Sequence, residues 1–495
     1  MTLTEYRTVP PGRQAPPSAP PRLTRPAAWS AVVALLLAIG VLTASVLGHL
    51  GRDGAVTLVV FLAAVWMWVF ATVPDATVAL GAALTLVLTG TVDTGTFTGT
   101  LGDSVIWLLV GSFLIAAAVT ATGLAARVAA RVLGAARGPR TLVHLVTLAL
   151  LLTTFAVPAT SGRAALALPV FLVLAAVLRE RPRLVLTLAV LMPSVILFSA
   201  VGSLLGAGAH LITSEITEAA TGTGFGFTRW LLLGLPLALL WSHLAAEIAL
   251  AVFTDRAERG RPLRIPLGAF TGSAGVTGPL TRAQRRVILL LAVVVAGWCT
   301  EPWHGIDPAV IAMLGALAAT APWIGATTLT AAAKTIPWPL LLFLAATLCL
   351  GIALTESGAS AWLAGLVFGP VQAAGAAAGT VFVLLVLLIS LGAHLVIQSR
   401  SARSAVLIPV VVATAPVLGI DPLAAAFLST AAAGFCHTLP ASAKPVALFA
   451  ASEEVPGYRP ADLLRYSAAM APLSAVLLLG FAYLVWPALG LPLTR

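Results

Sequence analysis

Two arginines interrupt apolar stretches of this chain at matching places. Arg163 lies in TSGRAALALPV, residues 160–170, and Arg403 lies in RSARSAVLIPV, residues 400–410, 240 positions downstream. Ser161 aligns with Ser401, Ala165 with Ala405, Pro169 with Pro409 and Val170 with Val410. A guanidinium offers N–H donors in a planar fork that matches the edge of a carboxylate, sulfate or phosphate. Hydroxyls of Thr160, Ser161, Ser399 and Ser401 add donors beside it, and the same residue types cap half-helices. Arg400, whose counterpart is Thr160, brings a further guanidinium, and Lys444, in the string ASAKP, an ammonium. The chemistry expected of this set is recognition of a small anion away from bulk water.

The elements that position these residues are membrane helices. The chain has 495 residues, of which 59% are hydrophobic and 9% charged, and its mean hydropathy is +1.03. No soluble domain has this composition. An all-α polytopic membrane protein is expected, one domain made of two halves. The apolar runs are continuous rather than alternating, which excludes a β-barrel. An ionised side chain within a bilayer costs at least about 2.5 kcal/mol and marks a functional place. Two interruptions at corresponding points of two halves point to the site of a transporter.

The net charge of +10 sits mostly in a few arginine-rich loops, as expected of cytoplasmic loops. No nucleic-acid partner is expected. Cys299, Cys349 and Cys436 lie in apolar segments without pair spacing, so buried thiols are expected, with no disulfide and no metal. No HExxH string, phosphate loop or Ser/His/Asp spacing is present, so neither an enzyme nor a cofactor is expected. The chain has no asparagine and two lysines, Lys334 and Lys444, in keeping with a bias toward Ala, Gly, Arg and Pro.

Residues 1–26, rich in Pro and Arg, read as a disordered cytoplasmic tail. A first half spans 27–253 and carries a re-entrant hairpin at 142–178, broken at its centre by TSGR. The span after it, 184–212, is broken by VGSLLGAGAH, where Gly202, Gly206 and Gly208 allow close backbone approach. A basic cytoplasmic loop covers 254–286. The second half, 287–495, carries a hairpin at 376–415 and a span broken at CHTLPASAKP. VTATGLAARVA at 119–129 matches LTESGASAWLA at 354–364, a spacing that argues for duplication. The basic helix with Arg127 and Arg131 is expected along the inner membrane surface, and the uncharged stretch 365–375 is expected as an outer loop. Counting sides makes the halves inverted repeats. His243 and Glu247, four apart on one helix, read as an interfacial ion pair.

VGSFLIAAAVTATGLAARVA, the hairpins ending in LPV and IPV, and the two broken helices resemble the divalent-anion:sodium symporter family of the ion transporter superfamily. The resemblance covers residues 30–490. It implies carriage of dicarboxylates, citrate, sulfate or related anions, and a homodimer. That family places Ser-Asn-Thr at each hairpin tip and a Thr-Pro-Pro-Asn-like string in each broken helix. Here the tips read Ala159-Thr160-Ser161 and Ser399-Arg400-Ser401, and the strings read Ala207-Gly208-Ala209-His210 and Ala443-Lys444-Pro445-Val446.

Cationic residues thus stand in or near places where the family coordinates sodium through oxygen ligands. A fixed cation repels sodium and supplies the charge that balances a bound anion. The expected function is secondary active transport of small (di)anions, sodium-independent by exchange or proton coupling, with Thr160, Ser161, Arg163, Ser399, Arg400, Ser401, Arg403 and Lys444 binding substrate. His210, His437 and Lys444 are the candidates for proton coupling. Two alternatives stay open: a sodium-coupled symporter of the same fold, and a transport-inactive membrane sensor or assembly partner. The expected location is the plasma membrane, multi-pass, with the N-terminus in the cytoplasm; the partners are the anion, the bilayer and a second copy.

Overall fold

A computed structural model describes residues 25–263, 265, 279–452 and 455–494. The tail read over 1–26 falls almost wholly outside the described residues, as does 266–278 of the basic loop. The chain begins with α1 (Arg25–Val46), α2 (Arg52–Phe70), α3 (Asp75–Leu88) and the short α4 (Thr94–Gly99). Next come α5 (Ser104–Ala121), α6 (Leu124–Gly134), α7 (Pro139–Leu152), α8 (Thr160–Val177), α9 (Pro182–Ser199), α10 (Gly208–Thr221) and α11 (Phe227–Phe253). The short α12 (Arg256–Gly260) leads across the centre to α13 (Arg282–Cys299), α14 (Glu301–His304), α15 (Pro308–Thr320) and α16 (Leu329–Ala333). The chain closes with α17 (Trp338–Glu356), α18 (Ala359–Gln372), α19 (Ala378–Gly392), α20 (Arg400–Thr414), α21 (Pro422–Ala432), α22 (Lys444–Leu448), α23 (Pro460–Gly480) and α24 (Trp486–Ala488). Among the described residues, nine helical stretches are long and apolar enough to cross a membrane.

Gly123 and Gly358, the glycines of the two matched strings, both take positive φ, 64° and 71°. Each ends one span and starts a shorter helix, α6 or α18, a turn that a β-carbon would strain. The stretch 365–372, read as loop, is therefore the continuation of α18. Nor does α6 turn all its arginines outward. Arg127 is 1% exposed and donates to Gln284 Oε1 at 2.8 Å, because Gln284 is fixed in a capping box with Thr281 at the start of α13.

Two arms of helix, tight turn and helix follow in corresponding places: α7 with α8, and α19 with α20. Each arm precedes a broken helix. In the first, α9 gives way at residues 200–207 and α10 resumes. Gly206 is required there, since a β-carbon on it would lie 2.0 Å from Ala200 O. Ala207 and Ala443, the residues before α10 and α22, adopt one extended conformation, with φ/ψ of −158°/147° and −159°/147°. Beyond them the halves differ: α10 runs 14 residues and α22 only five. After α22 the chain doubles back so tightly at Gly457 that a β-carbon would lie 2.0 Å from Phe449 O.

α9 lies at the centre, the window Pro182–Gly202 being 94% buried, and packs on α7, α8 and α11. α20 packs on α10 and α21, and α22 on α8 and α9. Each arm's second helix therefore meets the broken helix of the other half. Elsewhere α5 and α15 meet through small residues: a β-carbon on Gly111 would lie 2.7 Å from the Ala312 carbonyl carbon. Close backbone approach of this kind drives helix association in lipid.

Candidate functional site

Both arms turn at residues that begin a helix within the protein. Ala159, before α8, takes φ +85°, a conformation costly for a residue with a β-carbon. Ser399, before α20, accepts the Ala402 N–H at 3.3 Å and so serves as the N-cap. Thr160 and Ser401 are half-buried and Ser161 is exposed. Ser401 faces the other half: a β-carbon on Gly208 would stand 3.1 Å from Ser401 Oγ. The opposing arm tip and broken helix thus meet through a glycine. Gly202 and Gly206 have different neighbours, since β-carbons there would meet Ala238 and the Ala200 carbonyl, the protein's own packing.

Arg163 is 1% exposed and held from all sides. Its Nε donates to Thr153 Oγ1 at 2.9 Å and its Nη1 to Ile196 O at 3.0 Å. Its Nη2 donates to Leu150 O at 2.8 Å and to Ser199 Oγ at 2.6 Å. Two of these oxygens, on Ile196 and Ser199, belong to the last turn of α9, where carbonyls lack intrahelical donors and the helix dipole is negative.

Arg400 reaches the ends of both broken helices. Its Nη1 donates to Leu197 O in the last turn of α9, and its Nη2 to Thr430 O in the last turn of α21, each at 3.4 Å. Gly434 leaves room for it, because a β-carbon there would stand 3.2 Å from Arg400 Nη2. Thr213 of α10 and Thr430 of α21 join the halves further through hydroxyls 2.5 Å apart.

Arg403 is different. It is 0% exposed, yet its Nε, Nη1 and Nη2 meet no hydrogen-bond acceptor among the described residues. Arg400, Arg403 and Ser404 occupy positions i, i+3 and i+4 of α20 and share one face. Ser404 Oγ is also buried without a partner. The charge of Arg403 bears on His394, His437 and Arg400.

His210, His394 and His437 are buried. His394 Nδ1 donates to Leu391 O at 2.7 Å, and its Nε2 lies 2.9 Å from Thr438 Oγ1. His210 donates through Nδ1 to Ser203 O at 2.9 Å and stacks on Trp230. His437 accepts the Cys436 N–H through Nδ1 at 3.3 Å, which leaves the ring proton on Nε2. The Nε2 atoms of His210 and His437 are buried without partners, and Tyr466 Oη is buried beside Ser194. Rings of Phe198 and Tyr466 flank His437, at 4.7 and 6.3 Å.

Lys444 is exposed at the first residue of α22, so the desolvation that would suit it to proton coupling is not present. The structure therefore groups Arg163, Arg400 and Arg403 within the protein and sets Lys444 apart. Ser404 and Tyr466 were missed in the sequence. For Ser404 a signal existed, its place one turn after Arg400; for Tyr466 none did. A cavity of about 570 Å³ lies elsewhere, beside Gly379, Ile420, Tyr483 and Thr494.

His243 and Glu247, expected as an ion pair, meet through His144 of α7 rather than bonding to each other. Glu247 Oε1 accepts from Arg140 Nε at 2.7 Å and lies 2.6 Å from His144 Nε2, while His144 Nδ1 faces His243 Nδ1 at 2.8 Å. Among the described residues no group of three or more His, Cys, Asp or Glu could hold a metal ion. Cys349 and Cys436 are buried free thiols, and Cys299 is only half-buried, at the end of α13.

A membrane protein of Cupriavidus necator is 25% identical to this chain over 321 residues, 63% of this chain. The match spans 61% of the length of that relative. The crystal structure of the Alcanivorax borkumensis YdaH transporter is similar with a TM-score of 0.57 at 19% identity, covering 83% of this chain and 90% of that one. That likeness is one of fold. The model of the family described as the sodium:sulfate symporter transmembrane region matches residues 24–491. The match takes in both arms, both broken helices and Arg163, Arg400 and Arg403, and the chain belongs to that family.

Proposed function

We propose that the protein is a secondary active carrier of small anions that works without sodium, by exchange or with protons. The observation that carries this reading is Arg403, a fully buried guanidinium with no acceptor among the described residues. A cation so placed costs several kcal/mol unless an anion offsets it. Sodium independence is supported by Arg163 and Arg400. Their guanidinia take the carbonyl and hydroxyl oxygens at the ends of α9 and α21, the ligand type a hard cation needs, and repel a second cation. Dicarboxylates, citrate and sulfate are the classes that the family resemblance implies.

The matched glycines Gly123 and Gly358 and the matched entries Ala207 and Ala443 support two inverted repeats with re-entrant hairpins. On this reading the hairpin-bearing part moves against the remaining spans, elevator-fashion, in a homodimer of the plasma membrane with a cytoplasmic N-terminus. Substrate binding falls to Arg403 with the hydroxyls of the second arm, and His210 and His437 remain the coupling candidates. The sodium-coupled reading rests on Thr160 and Ser161, whose side chains stay partly or wholly accessible at the first tip. Uptake of radiolabelled succinate, citrate and sulfate into proteoliposomes, in sodium, in choline and under a proton gradient, decides between them. Uptake in choline that Arg403→Gln abolishes supports the proposal. Uptake that needs sodium and survives Arg403→Gln overturns it, and binding without uptake in any condition favours the sensor.

A further inference from the structure

The two arms are equivalent in backbone but not in what their donors have left to give. Arg163 has oxygen partners at Nε, Nη1 and Nη2, four in all. Arg400 has two, both at helix ends that carry partial negative charge. Arg403 has none among the described residues. The asymmetry extends one residue further: Ala164 stands in α8 where Ser404 stands in α20, so the first arm lacks the hydroxyl as well.

The second half holds further buried polar atoms without partners, as the first does at Thr57 and Ser242. Ser404 Oγ lies beside Arg403 on the same face of α20. His437 Nε2 carries the ring proton because the Cys436 N–H occupies Nδ1, and the Arg403 charge bears on that ring. Tyr466 Oη comes from α23, its ring 6.3 Å from that of His437. The loop holding His437 is tied to α23 by the Thr438 and Ser467 hydroxyls, 3.0 Å apart. Ser404 thus shares the face of α20 with Arg403, and the His437 and Tyr466 rings lie together where the loop meets α23.

Resting on the proposed carriage of anions, we infer that the site grips a single oxyanion group through the fork of Arg403, while His437, Tyr466 and Ser404 donate to that group or to a neutral remainder of the substrate. Arg163 acts as an internal cation of the fold and does not touch the substrate. A second carboxylate finds no second guanidinium devoid of oxygen partners, since Arg400 keeps only its Nε without one. The substrate class is therefore an anion with one charged head, and a dianion with two separated heads gains nothing from the second.

Succinate and succinamate form a matched pair for the test, since they differ by one carboxylate replaced with a neutral amide of the same shape. Their competition against sulfate uptake, and their effect on the melting temperature of the purified full-length protein, would be measured for the unaltered chain and for Arg403→Lys and Ser404→Ala. The expected result is half-maximal concentrations for the pair within about two-fold of each other. Arg403→Lys, which keeps the charge but not the fork, should weaken every ligand by about ten-fold or more, and Ser404→Ala should weaken them less. Sulfate recognised while both four-carbon ligands are ignored also agrees with one head. Succinate favoured over succinamate by about ten-fold or more, the gain expected of a second charge-assisted contact, overturns the inference and leaves anion carriage standing. No binding or uptake of any of the three overturns the proposed function, and the inference with it.

Discussion

Arg163 and Arg403 are each the fourth residue of a hairpin helix, and each donates its backbone N–H to the residue before that helix, Ala159 O and Ser399 O. Their side chains part company from there: the first ends among four oxygens, the second among none. Equal position in two matched strings has not meant equal use.

Replacing Arg403 by Met should separate stability from function. The substitution removes a buried charge that no protein group compensates, so the purified protein should gain about 1–3 kcal/mol, read as a higher melting temperature, while anion uptake disappears. A lower melting temperature together with retained uptake would show that Arg403 is a structural tie.

Arg163→Ala should do the reverse. It leaves Thr153 Oγ1, Leu150 O, Ile196 O and Ser199 Oγ around an uncharged gap, and loss of one partner of a buried polar cluster costs about 3–5 kcal/mol. Sodium should then partly restore the melting temperature of this variant and leave that of the unaltered protein unmoved. A variant indifferent to sodium would argue that the four oxygens do not form a cation cage.

The two glycines of the first break should differ in kind. Gly206→Ala forces a β-carbon to 2.0 Å from Ala200 O and should prevent folding, read as loss of the monodisperse peak on gel filtration. Gly208→Ala meets only Ser401 Oγ at 3.1 Å and Leu340 Cδ1 at 3.3 Å, side-chain atoms that can shift. It should fold, with uptake reduced by about five-fold because the arm tip no longer closes on α10.

In the loop after α11, Asp255 accepts the Glu258 N–H and pairs with Arg183, and these hold its carboxyl below the ordinary value of 3.8. A depressed carboxyl contributes stability that is fully present above that value and is lost as pH falls through the lower folded one. The melting temperature of Asp255→Asn should therefore lie below that of the unaltered protein at pH 7, and the gap should narrow progressively as the pH falls below about 3.8. A gap that does not narrow at all on acidification would mean the aspartate acts by shape alone.

What the sequence made legible was whatever is costly in a bilayer. Arginines, glycine clusters and hydroxyls inside apolar runs stood out, and they mark the arms, the breaks and the alignment of Gly123 with Gly358. The partners of Arg163 were not legible, because Leu150 and Ile196 contribute backbone carbonyls that no residue type announces. The inward turn of Arg127 was hidden for a related reason: its acceptor, Gln284, lies 157 residues away on α13. Tyr466 reads as an ordinary aromatic residue of a span, and only the fold brings its ring against His437. Lys444 looked like a buried charge because its neighbours are apolar, but helix α22 starts there and presents it outward.

Arg400 belongs to the second arm, yet it holds the last turn of α9 as firmly as that of α21, and Thr213 fastens α10 to α21. Trp241 and Trp486 add stitches between the same halves, to Ser474 Oγ and Leu233 O. A beam pinned at both ends cannot swing on one of them. Neither arm stands free of the other half, and these bonds stitch both into one packed unit assembled from the two halves of the chain.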